Sequence, residues 1–326
     1  MTTEETKQQT IPAREFIVSP GPHLRHGLPV NIMMYITLFA LIFPTAAGIY
    51  FFGYYALSVI AVSVFTALVT EYLVKRLRGR PFVMDGSAIV IGLLLALIMP
   101  PTIALWMVAV GAVVAIAIVK EAFGGLGHYI FNPVLGGMAF MMACFPSEMT
   151  TWVAPMGFGT EVVTSANPLS EAFIWQADKL SLYKALFLGN TSGALGETSA
   201  LFILMGGILL IVLRIIDWRI PVAYIGTVAI FSLALGQDPI FYILAGSLML
   251  GAFFLATDPV TSPLTRKGRV IFAIGAGILL VLIRHFGNMP EGVAYSILIM
   301  NAFTPLIDRY VKLKPYGVKK AVKSES

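Results

Sequence analysis

The chain has 326 residues, of which 58% are hydrophobic and only 12% charged, and its mean hydropathy of +0.85 excludes an ordinary soluble domain. A net charge of +5 and an isoelectric point near 9.2 point to topology and anionic lipid, not to nucleic acid, because the basic residues alternate with apolar segments. A single cysteine, Cys144, excludes an intrachain disulfide or a cysteine-bound cluster, and its apolar setting predicts a packing role.

Residues 1–29 are polar, carry Pro12, Pro20 and Pro22, and lack the apolar core of a signal peptide, so they read as a cytoplasmic N-terminal segment. Ten apolar segments follow, near 31–52, 54–74, 87–100, 102–121, 133–146, 199–217, 220–236, 238–256, 270–286 and 291–307. Most are long enough to cross a hydrocarbon core at about 1.5 Å per residue. The expected fold class is an all-α polytopic membrane protein with about ten transmembrane segments in two inverted five-segment repeats. The first repeat covers 30–146 and the second 199–307, joined by an outer loop over 147–198 and followed by a basic cytoplasmic tail over 308–326. With both termini in the cytoplasm, only Lys179, Lys184 and Arg284 of the 22 Lys and Arg fall outside, a strong positive-inside bias.

Two segments are short. The stretch 87–100 stops at Pro100-Pro101, and 133–146 lies between Asn132-Pro133 and Pro146. Short or proline-interrupted segments at matched places in two halves point to a site in the membrane interior. The match pairs Asp85-Gly86-Ser87-Ala88 with Glu197-Thr198-Ser199-Ala200, and Asn132-Pro133 with Asp258-Pro259. An acid and a hydroxyl ahead of an apolar run suit a helix N-terminus, whose free N–H groups need acceptors. Such acids at a membrane edge serve either as helix caps or as waypoints for a translocated cation, which makes Asp85, Glu197 and Asp258 the ion-pathway candidates. Gly124-Gly125-Leu126-Gly127 reads as a tight turn feeding the Asn132-Pro133 helix start, and Glu291 as a cap of the last span. The four histidines have no metal-ligand spacing, so no metal site is expected. No nucleophile elbow, phosphate loop or dinucleotide fingerprint occurs, so neither direct NAD binding nor catalysis by the chain alone is expected.

These motifs, in their order and spacing, carry a family resemblance. Ser19-Pro20-Gly21-Pro22-His23, Met84-Asp85-Gly86-Ser87-Ala88, Phe131-Asn132-Pro133, Gly196-Glu197-Thr198-Ser199-Ala200, Ala256-Thr257-Asp258-Pro259 and Pro290-Glu291-Gly292-Val293-Ala294 belong to it. The chain resembles the D component (RnfD) of the Rnf ion-translocating ferredoxin:NAD oxidoreductase complex, itself related to the B component of the sodium-pumping NADH:quinone oxidoreductase. The resemblance implies a flavoprotein in a six-subunit complex of a bacterial or archaeal cytoplasmic (inner) membrane. Such a protein passes electrons between flavins and couples this to Na⁺ or H⁺ movement, with ferredoxin and NAD handled by partner subunits.

The resemblance also implies two flavins: an FMN esterified to a threonine on the outer side, and a noncovalent riboflavin-type flavin. The attachment string aligns with Glu161-Val162-Val163-Thr164-Ser165-Ala166-Asn167-Pro168-Leu169, where Asn167 stands at the acceptor position. A phosphoester needs a hydroxyl, which an amide does not supply. Three readings stay open: a pocket without the covalent link, loss of this flavin, or attachment at Thr164, Thr191 or another nearby hydroxyl. An isoalloxazine is a flat apolar body with a polar edge, for which Asn132, Ser87, Thr198 and Ser199 are the candidate partners in the membrane and Thr164, Ser165 and Asn167 those in the outer loop. Tyr129 stands where family members often carry Asn. A stand-alone channel or secondary transporter, or a scaffold protein without cofactor, shares the same sequence pattern.

Overall fold

The computed structural model describes residues 28–155, 164–169, 178–287 and 292–312. Most of the N-terminal segment and basic tail, Glu161 to Val163 of the attachment string, His23, His26 and Glu291 lie outside the described residues.

The first two apolar segments form one element, α1 (Val30–Leu77), broken at Gly53, whose φ of 72° and ψ of −156° only glycine adopts readily. Pro44 inside α1 has no N–H to give the carbonyl of Ala40. That carbonyl faces Gly206 of the later helix α7 (Ala200–Val212), where a Cβ would press into the oxygen. Glycine is thus what lets α7 lie on α1 one turn before Pro44.

Helix α2 (Ser87–Leu97) follows Gly86, another positive-φ residue, and buries ten of its 11 residues, so it runs through the middle of the bundle rather than along its surface. Helix α3 (Leu105–Val113) continues as a π-helical stretch, Val114–Glu121. Helix α4 (Pro133–Cys144) starts on Asn132, whose Oδ1 accepts from the N–H groups of Val134 and Leu135, with Pro133 at the tolerated first position. Cys144 ends α4 exposed instead of packed, because the helix stops where Phe145-Pro146 turns the chain. The short α5 (Pro146–Met149) and α6 (Lys179–Leu188) belong to the outer stretch.

The second half holds α7 (Ala200–Val212), α8 (Arg219–Ala234), α9 (Pro239–Leu244) and α10 (Leu248–Leu250), which passes into a second π-helical stretch, Gly251–Leu255. Helices α11 (Arg266–Phe286) and α12 (Gly292–Tyr310) close the bundle. Among the described helices only Val30–Leu77 and Arg266–Phe286 are both long and apolar enough to cross a membrane unaided. Most of the others fall short because prolines, glycines and π-turns cut the apolar segments into shorter helices, whereas α12 is long enough but carries Ser296, Asn301, Thr304 and Asp308.

The connections gather at two ends. At one, Arg78 Nη1 donates to the carbonyl of Glu121, Arg80 Nη1 to that of Gly124 at 2.9 Å, and Arg269 Nη1 to Asp217 at 3.0 Å. At the other, Tyr55 Oη donates to the Ile103 carbonyl at 2.9 Å, and the N–H of Gly196 to that of Leu97 at 2.7 Å.

Candidate functional site

The matched Asx-Pro motifs do not behave alike. Asn132-Pro133 starts α4, but Asp258-Pro259 opens a turn that stays non-helical until Thr265 caps α11. Asp258 still accepts from the N–H groups of Val260 and Thr261, and also from Tyr129 Oη at 3.3 Å and Thr261 Oγ1 at 3.1 Å, so it holds a local turn that no helix continues. In the second half the helix-starting pair is Asp238-Pro239, where Asp238 Oδ1 accepts from the N–H groups of Ile240 and Phe241.

Ser87, Asn132 and Asp258 line one cavity, together with Tyr129, Thr257 and Thr37. Its remaining walls are apolar, among them Met34, Ile91, Leu94, Leu210, Phe253 and Phe254. Asn132 joins the halves: its Nδ2 donates at 3.0 Å to the carbonyl of Leu255, at the end of the second π-stretch. Each π-stretch therefore leads into a loop that supplies the cavity, Val114–Glu121 into Tyr129 and Asn132, Gly251–Leu255 into Thr257 and Asp258. Such widened turns recur at functional sites, and nothing in the spacing of apolar residues announces them.

The hydroxyls of this wall share a polarity. Thr37 Oγ1 donates to the Met33 carbonyl at 2.9 Å, Ser87 Oγ to Asp85 Oδ1 at 2.6 Å, Tyr129 Oη to Asp258, and Thr257 Oγ1 to the Phe253 carbonyl at 2.6 Å. A hydroxyl has one proton to give. All four spend it within the protein and turn only lone pairs to the cavity, leaving the second N–H of Asn132 as the donor beside them. Such a wall suits a ligand edge rich in donors and disfavours a phosphate.

Behind Ser87 runs a buried ionic chain that the sequence reading missed. Lys120 Nζ, on the first π-stretch and without exposure, donates to Ser87 Oγ at 2.6 Å and to Glu71 Oε1 at 2.8 Å. Lys75, near the surface, pairs with the same Glu71 oxygen at 2.6 Å. The chain of contacts thus runs from Lys75 through Glu71 and Lys120 to the cavity wall. Lys120 and Glu71 were unreadable as a site because they lie 49 positions apart and each looks like an ordinary charge at the end of an apolar run. Asp85 stands just outside the apolar segments. Burial works against its charge, but bonds from the Ser87 hydroxyl and N–H, with Lys120 and Lys75 nearby, outweigh it and hold the carboxyl below its ordinary 3.8.

The other predicted residues are elsewhere. Glu197, Thr198 and Ser199 sit by the far end of α2, whose 11 residues separate them from Ser87 by about 16 Å. Thr198 Oγ1 donates to Ala194 and Ser199 Oγ to Phe187, so neither hydroxyl faces the cavity of Ser87. The attachment string lies at this second end. Thr164 is exposed and forms an antiparallel bridge with Val153, and the N–H of Ser165 donates to Trp152 at 3.0 Å. Ser192 Oγ donates to the Ala166 carbonyl. Asn167 is buried, and its Oδ1 accepts from the N–H of Leu169 at 3.0 Å, a local turn that a threonine hydroxyl makes less well. Leu169 packs by Gly246 and the buried Arg284, whose guanidinium donates to the carbonyls of Tyr242 and Ala245.

Among the described residues, a helical bundle with interrupted helices and an apolar cavity with a polar edge is consistent with an all-α membrane protein. Residues 17–317 match the sequence profile of the NQR2, RnfD, RnfE family, and the chain belongs to that family. It is 44% identical to the D component of the proton-translocating ferredoxin:NAD(+) oxidoreductase complex of Clostridium ljungdahlii, over 94% of this chain and 97% of the relative. It is also 44% identical to the D component of the Na(+)-translocating ferredoxin:NAD(+) oxidoreductase complex of Acetobacterium woodii, over 94% and 96%. The D component of the ion-translocating oxidoreductase complex of Stutzerimonas stutzeri is 40% identical over 88% of this chain and 92% of its own. Equal identity to a proton-translocating and a sodium-translocating relative means that overall similarity does not choose the ion.

Proposed function

We propose that this chain is a flavin-bearing membrane component of an ion-translocating ferredoxin:NAD oxidoreductase complex, non-autonomous as an enzyme. The observation that carries the proposal is family membership over nearly the whole chain, joined to a cavity with apolar walls and one polar edge. The flavin supplies the one- and two-electron chemistry when bound; the chain places the ring and sets the charge around it. Asn132, Ser87, Tyr129 and Thr257 are the residues that would hold a noncovalent flavin. Their acceptor-rich edge favours a riboflavin-type molecule, whose imide N–H and ribityl hydroxyls donate, over a phosphorylated one. An FMN would belong to the opposite end, by Thr164, Ser165 and Asn167, held without a covalent link at Asn167.

In this reading the bundle crosses the membrane ten times, as two inverted repeats of five, with both termini cytoplasmic and partners completing a six-subunit assembly. The segregation of connections to two ends supports it, since the loops bearing Arg78, Gly124, Asp217 and Asp258 share one end, and those bearing Ile103, Gly196 and Asp238 the other. Asp85 and Asp258 flank the inner cavity as cation waypoints, whereas Glu197 lies by the outer end. The test is flavin analysis of the purified protein before and after denaturation, with intact mass. Dephosphorylated flavin released on denaturation from a chain of unmodified mass is expected. A well-folded preparation without flavin would overturn the flavin assignment in favour of a scaffold or transporter.

A further inference from the structure

The outer surface of the bundle carries a second concavity, unrelated to the flavin cavity. It runs between α11 and α12, floored by Gly275 and Met300 and walled by Ile271, Phe303, Ile307 and Tyr310. Gly275 makes the groove possible: a Cβ there would lie 2.7 Å from the sulfur of Met300. From Met300 to Val311 the groove follows α12 for roughly 17 Å at 1.5 Å per residue. That is about one leaflet of a hydrocarbon core ~30 Å thick, too short for a neighbouring helix that crosses the whole bilayer.

One end of the groove is basic. Lys267 extends the Ile271–Gly275 stripe by one helical turn, and Lys312 follows Val311; both are exposed. Gly268 lies against Ile307, which brings the start of α11 beside the end of α12. The acid closest in sequence, Asp308, turns its carboxylate to the N–H of Leu264. Tyr310, with an apolar body and a polar tip, stands at the same level, where aromatic residues sit at a membrane interface.

From this pairing of a one-leaflet apolar groove with a lysine rim we propose that the α11–α12 groove seats an acyl chain of an anionic phospholipid of the inner leaflet, its phosphate held by Lys267 and Lys312. The proposal rests on the membrane placement given above. The lipid would brace α12, whose inner face bears the buried Ile297, Met300 and Thr304, against α11. Two lysines near a lipid surface favour an anionic over a zwitterionic headgroup by roughly 10- to 30-fold.

The test is native mass spectrometry of the intact complex in mild detergent, titrated with phosphatidylglycerol or phosphatidylcholine. Retention of phosphatidylglycerol at least about tenfold better is expected, lost in a Lys267→Gln/Lys312→Gln variant that still retains phosphatidylcholine. Ile271→Trp, which fills the groove from its exposed wall, is expected to expel both. Equal preference in wild type and the double variant overturns the anionic site while leaving the membrane placement standing. Retention of neither lipid overturns the proposal and leaves the membrane placement standing. A photocrosslinker at Phe303 that captures another protein of the complex, instead of lipid, also overturns the proposal.

Discussion

Lys120 Nζ reaches Ser87 Oγ across 33 positions of sequence, at 2.6 Å, and through it fixes which way the cavity's hydroxyl faces. With Lys120 donating to one lone pair and Asp85 taking the hydroxyl proton, Ser87 keeps a single lone pair for a ligand. A charge with no exposure thus determines what the cavity wall can bind, and it does so only because Glu71 offsets its burial.

Breaking that pair should be costly. Lys120→Met leaves Glu71 with only the more peripheral Lys75, and a loss of about 3 kcal/mol is expected, the lower part of the range for stranding one partner of a buried pair. Glu71→Gln combined with Lys120→Met should cost clearly less than the two single changes together, as measured by thermal unfolding in detergent. Additive losses would mean that the two side chains do not stabilise one another.

Acid should act through Asp85. Its folded pKa lies below the ordinary 3.8, so its contribution to stability is complete above the unfolded value and is lost as pH falls through the folded one. Ser87→Ala removes one of the bonds that lower it, so the acid-induced loss should be smaller and be complete at higher pH than in wild type. Stability curves from about pH 6 downward read this directly; an unchanged acid limb would show that Asp85 does not depend on Ser87.

Asn132 has two separable tasks. Asn132→Asp keeps the acceptor for Val134 and Leu135 but loses the donor to Leu255, whereas Asn132→Ala loses both. Alanine is expected to cost about 1–2 kcal/mol through the cap, and more through the buried carbonyl left bare. If flavin is held at this edge, both variants should release it more readily, read as flavin remaining after gel filtration.

Gly206→Ala tests the contact of α7 with α1 at Ala40. A methyl pressed into the backbone carbonyl of Ala40 cannot be accommodated by a side-chain rotation, so a loss of about 1–3 kcal/mol is expected. The same change at Gly226, where nothing lies within 4 Å, should be neutral or slightly stabilising by comparison.

Asn167→Thr restores a hydroxyl at the acceptor position of the attachment string. Expressed with its partner subunits and a flavin-transfer system, this variant should gain the mass of an esterified FMN that wild type lacks. Flavin esterified to unaltered protein would instead locate the acceptor at another residue, such as Thr164 or Thr191.

Much of this molecule is written along the chain. Composition determines the solvent, because 12% charge cannot cover a soluble surface of this size. Local chemistry determines the helix starts at Asn132-Pro133 and Asp238-Pro239 and the turn at Gly53, since caps and positive φ are properties of a few adjacent residues. The motifs around Ser87, Asn132 and Asp258 stand out in the sequence, and these three residues line one cavity, but the pairing of Asn132-Pro133 with Asp258-Pro259 does not carry over to helix starts.

The tertiary structure alone decided which of those residues meet. Thr198 and Ser199 resemble Ser87 in sequence yet lie at the other end of α2, where the N–H of Gly196 meets the carbonyl of Leu97. Asp258 holds a turn of its own and reaches across to Tyr129, 129 positions away, a contact that sequence order does not announce. Lys120, on a π-stretch, joined the site because Ser87 lies within reach of it and a partner 49 residues away accepted its charge. Pairings of this kind depend on how helices pack, and the energy of a buried charge is set by neighbours that linear order does not identify.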